Sequence, residues 1–168
     1  MPRYVALLRA VNVGGTGKLL MSDLEALCLQ AGFGQVATYI ASGNVVFHSA
    51  LRAPEVQARL QERLQRHAGR RIGVLLRTAA QMRAVLAANP FPERAANLTY
   101  TLFLPQKPAA DILASARNRT DEEIRLGLRE VYIHYPKGAG QSRLQLPCMR
   151  EGTARNMNTV ARLVAMSG

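Results

Sequence analysis

The sequence predicts an α+β protein: an N-terminal ferredoxin-like β-α-β-β-α-β unit packed against a second, smaller α+β unit. Three observations predict it. Tyr4–Val11 is a nearly continuous apolar run of the kind a buried strand shows. Two stretches of helical periodicity, around residues 22–31 and 54–68, enclose a β-rich hairpin signal. No low-complexity linker divides the chain, so its two parts, 1–79 and 80–168, are expected to pack together.

Each element has its own warrant. Ser22-Asp23-Leu24-Glu25 has the form of a capping box, and Leu24, Leu27, Cys28 and Ala31 recur at helical spacing. Gly32 supplies the stop, which predicts a helix over Ser22–Ala31. Val36–Ile40 and Val45–His48 read as strands around Ala41-Ser42-Gly43-Asn44, where Gly43 and Asn44 can take positive φ. Pro54 opens a second helix with Val56, Leu60, Leu64 and His67 in one stripe, and Gly69 closes it. Ile72–Leu76 completes the first unit.

The second unit is predicted from Thr78-Ala79-Ala80-Gln81, another capping box, with Met82, Val85 and Leu86 on one face. Asn89-Pro90-Phe91-Pro92 stops that helix. Strands are expected at Leu98–Leu104, Glu123–Leu128 and Glu130–Tyr135, with a short helix from Pro108 to Ala116. A last helix covers Asn156–Met166, with Met157, Val160, Leu163 and Val164 at helical spacing.

Composition narrows the function classes. With 168 residues, 48% of them apolar, the chain can build a core, but no apolar run approaches a membrane span. Arg9 interrupts the apolar run after Arg3, so no export signal is read and the cytoplasm is the expected location. Cys28 and Cys148 are too few for a disulfide framework, and no Cys/His spacing matches a metal site. Neither metal nor cofactor is expected. The net charge is +11, with ten basic and four acidic residues up to Ala79 and twelve and seven beyond. Both parts are therefore basic, which favours anionic partners: nucleic acid or a phosphorylated small molecule. Arg and Ala enrichment is also what a GC-rich coding sequence produces.

Several familiar sites fail on detail. The segment Asn12–Leu19 is not a P-loop: Asn12 stands where the first glycine belongs, and Leu19 where Ser or Thr would bind magnesium. The dinucleotide pattern is broken by Leu20. Tyr4 and Phe47 alone do not make an RNA-stacking sheet. Arg59, Arg63, Arg66 and Arg70 form a row, but Glu55 and Glu62 pair with it and a solvated helix face explains it. Catalysis would fall to Ser42, His48 or His134, with nothing in the sequence bringing them together.

Four ordered segments resemble the bacterial family called domain of unknown function 1697. They are Leu8–Gly15 with Lys18 and Met21; Tyr39–Phe47; Val131–Pro136 with Gly138, Gly140, Ser142 and Arg143; and Gly152–Val160. Ala10, Ala41, Arg143 and Met157 depart from the residues usual there. The resemblance implies a ferredoxin-like part joined to a second α+β part, and implies no activity. Its polar residues, Lys137 and Thr153 among them, are donors without a carboxylate, a set suited to a phosphate or carboxylate ligand.

The expected function is therefore polyanion binding in a composite basic cleft. Arg9, Lys18, Arg143 and Arg155 would neutralise charge, and Gly14, Gly15 and Gly43 would let the backbone approach. Asn12, Ser42, Asn44, Asn156 and Asn158 would orient the ligand. Two alternatives stand beside it. One is an enzyme acting on a small phosphorylated or carboxylated metabolite; the other makes the asparagines and glycines purely structural.

Overall fold

β1 (Arg3–Leu8) buries every side chain from Tyr4 to Leu8, and the first unit is assembled around it. The computed structural model describes residues 1–12 and 18–168. β2 (Gly34–Tyr39), β3 (Asn44–His48) and β4 (Val74–Thr78) complete an antiparallel sheet in the order β2-β3-β1-β4. With α1 (Met21–Gln30) and α2 (Ala53–Ala68) between the strands, this is the ferredoxin-like arrangement. Tyr4, Ala6, Leu8, Val45 and Phe47 join Leu24, Leu27 and Cys28 of α1 and Val56, Leu60 and Leu64 of α2 in one core. Phe33 stacks on Phe47 at 4.4 Å between ring centres.

The helix ends explain their own positions. The Leu20 carbonyl accepts from Asp23 and Leu24, at 3.1 and 3.0 Å, so α1 starts at Met21. Ser22 then lies inside the first turn, and the expected Ser22–Glu25 capping box gives way to an uncapped start. Beyond Ala31, Gly32 takes φ +89° while its N–H reaches the Leu29 carbonyl and that of Phe33 reaches Cys28. This paired closure needs a left-handed residue, which glycine supplies. Gly69 closes α2 in the same left-handed region. His67, expected in the apolar stripe of α2, is exposed instead and lies 3.7 Å from Asp23.

β1 is shorter than the apolar run because Ala10 and Asn12 both adopt positive φ and turn the chain. In the β2–β3 connection Gly43 has φ +91° as expected, but the second positive φ belongs to Ile40. Asn44 is already the first residue of β3 and fully buried.

The second unit is a sheet of β5 (Thr99–Phe103), β6 (Glu123–Leu126), β7 (Glu130–His134) and β8 (Thr153–Asn156), in the order β6-β7-β5-β8 and antiparallel throughout. Leu102, Leu104, Ile124, Val131, Ile133, Leu144 and Leu146 form its core. Between the sheets in sequence lies α3 (Ala79–Ala87), whose capping box forms. The Thr78 N–H donates to Gln81 Oε1 at 2.9 Å and the Gln81 N–H to Thr78 Oγ1 at 3.1 Å. The expected helix after Pro108 contracts to a 3₁₀ turn, Ile112–Ser115, that buries only Ile112. A segment with so little apolar surface cannot repay helix nucleation. β8 has no counterpart in the sequence reading, because its inward residues are Thr153 and Arg155 rather than apolar ones.

The chain ends in α4 (Met157–Ser167), which buries Met157, Val160 and Leu163. By internal contacts the compact units are Met1–Met82 with Leu163–Gly168, and Arg83–Arg162.

Two backbone demands can be weighed. A Cβ on Gly43 would lie 2.7 Å from Val11 Cγ2 and 2.9 Å from Leu8 Cβ, both buried, at a φ that L residues avoid. A Cβ on Gly32 meets nothing within 4 Å. Gly43→Ala is expected to destabilise by about 2–4 kcal/mol, and Gly32→Ala by about 1 kcal/mol. Thr78→Ala should cost about 1 kcal/mol through the lost cap. Urea unfolding midpoints of the three variants test this ranking.

Candidate functional site

In the first unit the structure brings the predicted loop residues together by bonding them to the backbone. Asn12 Nδ2 donates to the carbonyls of Leu19 and Ala41, both at 2.8 Å, and Asn12 Oδ1 accepts the Leu19 N–H at 2.7 Å. One side chain thus clamps two points seven residues apart and ties them to the β2–β3 turn. Asn44 Nδ2 donates to the Tyr39 carbonyl at 2.8 Å and to Ser42 Oγ at 3.0 Å. The Gly43 carbonyl accepts the Leu8 N–H at 2.9 Å. Arg9 bonds the Gly73 carbonyl through its own N–H at 2.9 Å, and its aliphatic stem passes over Gly73. Lys18 and Ser42 are exposed. Gly14 and Gly15 lie outside the described residues.

In the second unit Arg155 is buried, and Nη1 donates to Thr153 Oγ1 at 2.6 Å and to the Ala154 carbonyl at 2.9 Å. Burial pushes its pKa down to about 10, which leaves it charged at neutral pH. Asn156 Oδ1 accepts the Thr159 N–H at 3.0 Å and so caps α4, while Asn158 is exposed in its first turn. Arg143 stands apart from these, at a cavity.

That cavity lies between two segments of the second unit. β6 and β7 pair Glu123 with His134, so the segment entering β6 and the segment leaving β7 emerge side by side. Mutual backbone bonds of 2.9 Å join Arg117 and Gln145 on the same two segments. The open cleft has a volume of about 400 Å³, within the range of small-molecule sites. Arg119, Lys137 and Arg143 line it with cationic groups, all three exposed, and Asn118, Gln141 and Tyr135 add polar groups. A wider groove of about 800 Å³ is lined by Leu146, Pro147 and Met149 with Arg117 and Arg150. It offers fewer convergent polar groups.

The cavity wall also holds carboxylates. Glu122 is buried; its Oε2 accepts the Ser142 hydroxyl at 2.5 Å and its Oε1 the Thr120 N–H at 2.7 Å. Arg119 Nε donates to the Glu122 carbonyl at 3.1 Å. Burial alone would raise the Glu122 carboxyl, but the Ser142 hydroxyl, the Thr120 N–H and nearby Arg119 outweigh it and hold it below its ordinary value. Asp121 lies 3.8 Å from Lys137 Nζ. Tyr135, edge-on to Tyr100 at 5.5 Å, is pushed up to about 12 by burial and by Glu122, so it remains a neutral phenol.

Sequence reasoning reached Lys137 and Arg143 but not Asn118–Glu122. That stretch is polar and aperiodic, and only the burial of Glu122 marks it. Of the histidines considered for catalysis, His134 is buried with Nδ1 3.0 Å from Thr99 Oγ1. Since the Thr99 hydroxyl donates to the Ala95 carbonyl, His134 must be the donor to Thr99, which assigns its proton to Nδ1. It is a satisfied core residue. Among the described residues no group of three His, Cys, Asp or Glu is placed to hold a metal. No helix among them is long and apolar enough to cross a membrane.

Comparison with known proteins adds kinship. A family model described as a protein of unknown function, DUF1697, matches residues 1–132. The chain belongs to the DUF1697 family. The match covers the two motifs around Asn12 and Asn44 and reaches into β7. The fold of this DUF1697 protein is similar to that of a conserved bacterial protein from Streptococcus pneumoniae, with a TM-score of 0.81 and 24% identity over 99% of each chain. That likeness shows a common fold. No curated protein matches the chain.

Asn12→Ala removes the partner of three backbone groups and is expected to destabilise by about 1–3 kcal/mol, read from the urea midpoint. For Glu122, a depressed folded pKa means its stabilisation is complete above about pH 4.5, the ordinary value, and is lost as pH falls through the folded one. Glu122→Gln should therefore be less stable than the parent at pH 7, with the gap closing below pH 4.5. Thermal melts across pH 3–7 measure it.

Proposed function

We propose that this DUF1697 protein binds anions, and that the cleft of its second unit receives a phosphate or carboxylate group. One observation carries the reading: Arg119, Lys137 and Arg143 converge with amide and phenol groups on a single cavity of about 400 Å³. Guanidinium groups recognise phosphate and carboxylate through paired N–H donors, and an ammonium adds a compact charge. The net charge of +11 draws anions toward the protein as a whole.

Within this reading the residues named from the sequence divide by task. Arg143 touches the anion, whereas Arg155 and Asn156 hold β8 and the start of α4 in place. In the first unit Asn12, Gly43 and Asn44 shape the loop, and Lys18 offers an exposed charge. A nucleic-acid backbone is the second reading, favoured by basic residues spread along the whole chain.

Isothermal titration with inorganic phosphate and with a single-stranded oligonucleotide, each across a salt series, tests both. Saturable phosphate binding that falls by roughly tenfold in Arg143→Ala, about 1.4 kcal/mol, is expected. A steep salt slope with the oligonucleotide and no phosphate binding would favour the second reading. Absence of both at low salt overturns anion binding altogether.

A further inference from the structure

A receptor for a bare anion is expected to present donors and positive charge only. This cleft does not: Glu122 and Asp121 stand in the same wall as Arg119, Lys137 and Arg143. Two unlike sets of charge around one space repel a simple anion from one side as they attract it to the other. They are complementary to a molecule that is itself charged at both ends.

We propose that the ligand of this cleft is a small zwitterion: a phosphate or carboxylate joined through a short linker to a primary ammonium. The proposal rests on the anion-binding reading and specifies its ligand. The anionic end meets Arg119 and Arg143, and the ammonium meets the carboxylates of Glu122 and Asp121. Glu122 is equipped for this. Its internal bonds come from the Ser142 hydroxyl, the Thr120 N–H and its own N–H. A carboxylate has about four acceptor sites, so one is left for a ligand donor. The same bonds fix the carboxylate in place, and the Ser142 hydroxyl is oriented in turn by accepting the Leu144 N–H at 3.1 Å.

The Asp121–Lys137 pair supplies the second half of the device. At 3.8 Å, with side chains 39% and 82% exposed, it is held weakly and can exchange partners. A ligand ammonium can take over Asp121, and Lys137 is then released toward the ligand's anionic end. Both members of the exposed pair become ligand contacts, and no charge is left without a partner.

The test uses the full chain and three probes: inorganic phosphate, ethyl phosphate and O-phosphoethanolamine. The last two share a two-carbon chain on phosphate and differ in the terminal ammonium. Phosphoethanolamine is expected to bind at least tenfold tighter than ethyl phosphate. Glu122→Gln should move the two affinities in opposite directions, weakening phosphoethanolamine and strengthening ethyl phosphate, because a buried negative charge is removed. Asp121→Asn, at an exposed position, should narrow the same ratio and serves if Glu122→Gln fails to fold. Equal binding of ethyl phosphate and phosphoethanolamine by the parent protein overturns the zwitterion and leaves the anion reading standing. A parent that prefers phosphoethanolamine, with a ratio unmoved by either variant, overturns the assigned roles of Glu122 and Asp121. If none of the three probes binds, the anion reading falls and this inference with it.

Discussion

The first unit depends on how tightly the backbone closes at the end of β1. The Leu8 N–H donates to the Gly43 carbonyl on one side, and the next N–H, that of Arg9, donates to the Gly73 carbonyl on the other. A strand paired on both edges can finish only where its neighbours also turn away. Gly43 makes this possible by having no Cβ where Leu8 and Val11 already fill the space. From that point the chain turns through the positive φ of Ala10 and Asn12. Asn12 then bonds both to Leu19 and to Ala41 of the β2–β3 turn. Leucine packing and amide hydrogen bonds thus converge on one corner.

The second unit is organised by buried polar groups that have partners. Glu122, His134, Arg155 and Thr99 are each nearly inaccessible, and each has a hydrogen bond in place of water. Burying such groups is unfavourable unless their bonds are made, so they specify the conformation of the segments that satisfy them. Glu122 holds its own loop through Thr120 and the facing loop through Ser142. The carboxylate thus links the two loops that line the cavity. A side chain that shapes the wall is thereby also presented to whatever occupies the space.

Local signals were legible where the bonds they predict are local. Thr78 and Gln81 sit three residues apart and cap each other as their pattern requires. Gly32 and Gly69 end their helices because a left-handed closing residue is a need of the helix itself. Ser22 and Glu25 carry the same pattern as Thr78 and Gln81, yet the helix begins at Met21 because the Leu20 carbonyl takes the first bonds. β8 was illegible for the converse reason. Arg155 points inward, and a buried arginine is acceptable only when Thr153 and the neighbouring carbonyl lie within reach.

What the sequence by itself determined is the α+β class, the ferredoxin-like order of elements in the first unit and the overall basic charge. These follow from side-chain periodicity, helix stops and composition, which act over a few residues at a time. What only the tertiary structure decided is which polar residues bond to the chain and which face open space. Asn12, Asn44 and Arg155 share donor chemistry with Arg143, but the first three are engaged by backbone and hydroxyl groups while Arg143 lines a cavity. Asn118–Glu122 enters the site only because the pairing of Glu123 with His134 sets two distant segments side by side. A hydrogen-bonding side chain carries no mark in sequence of its eventual partner, because the partner is chosen by the fold.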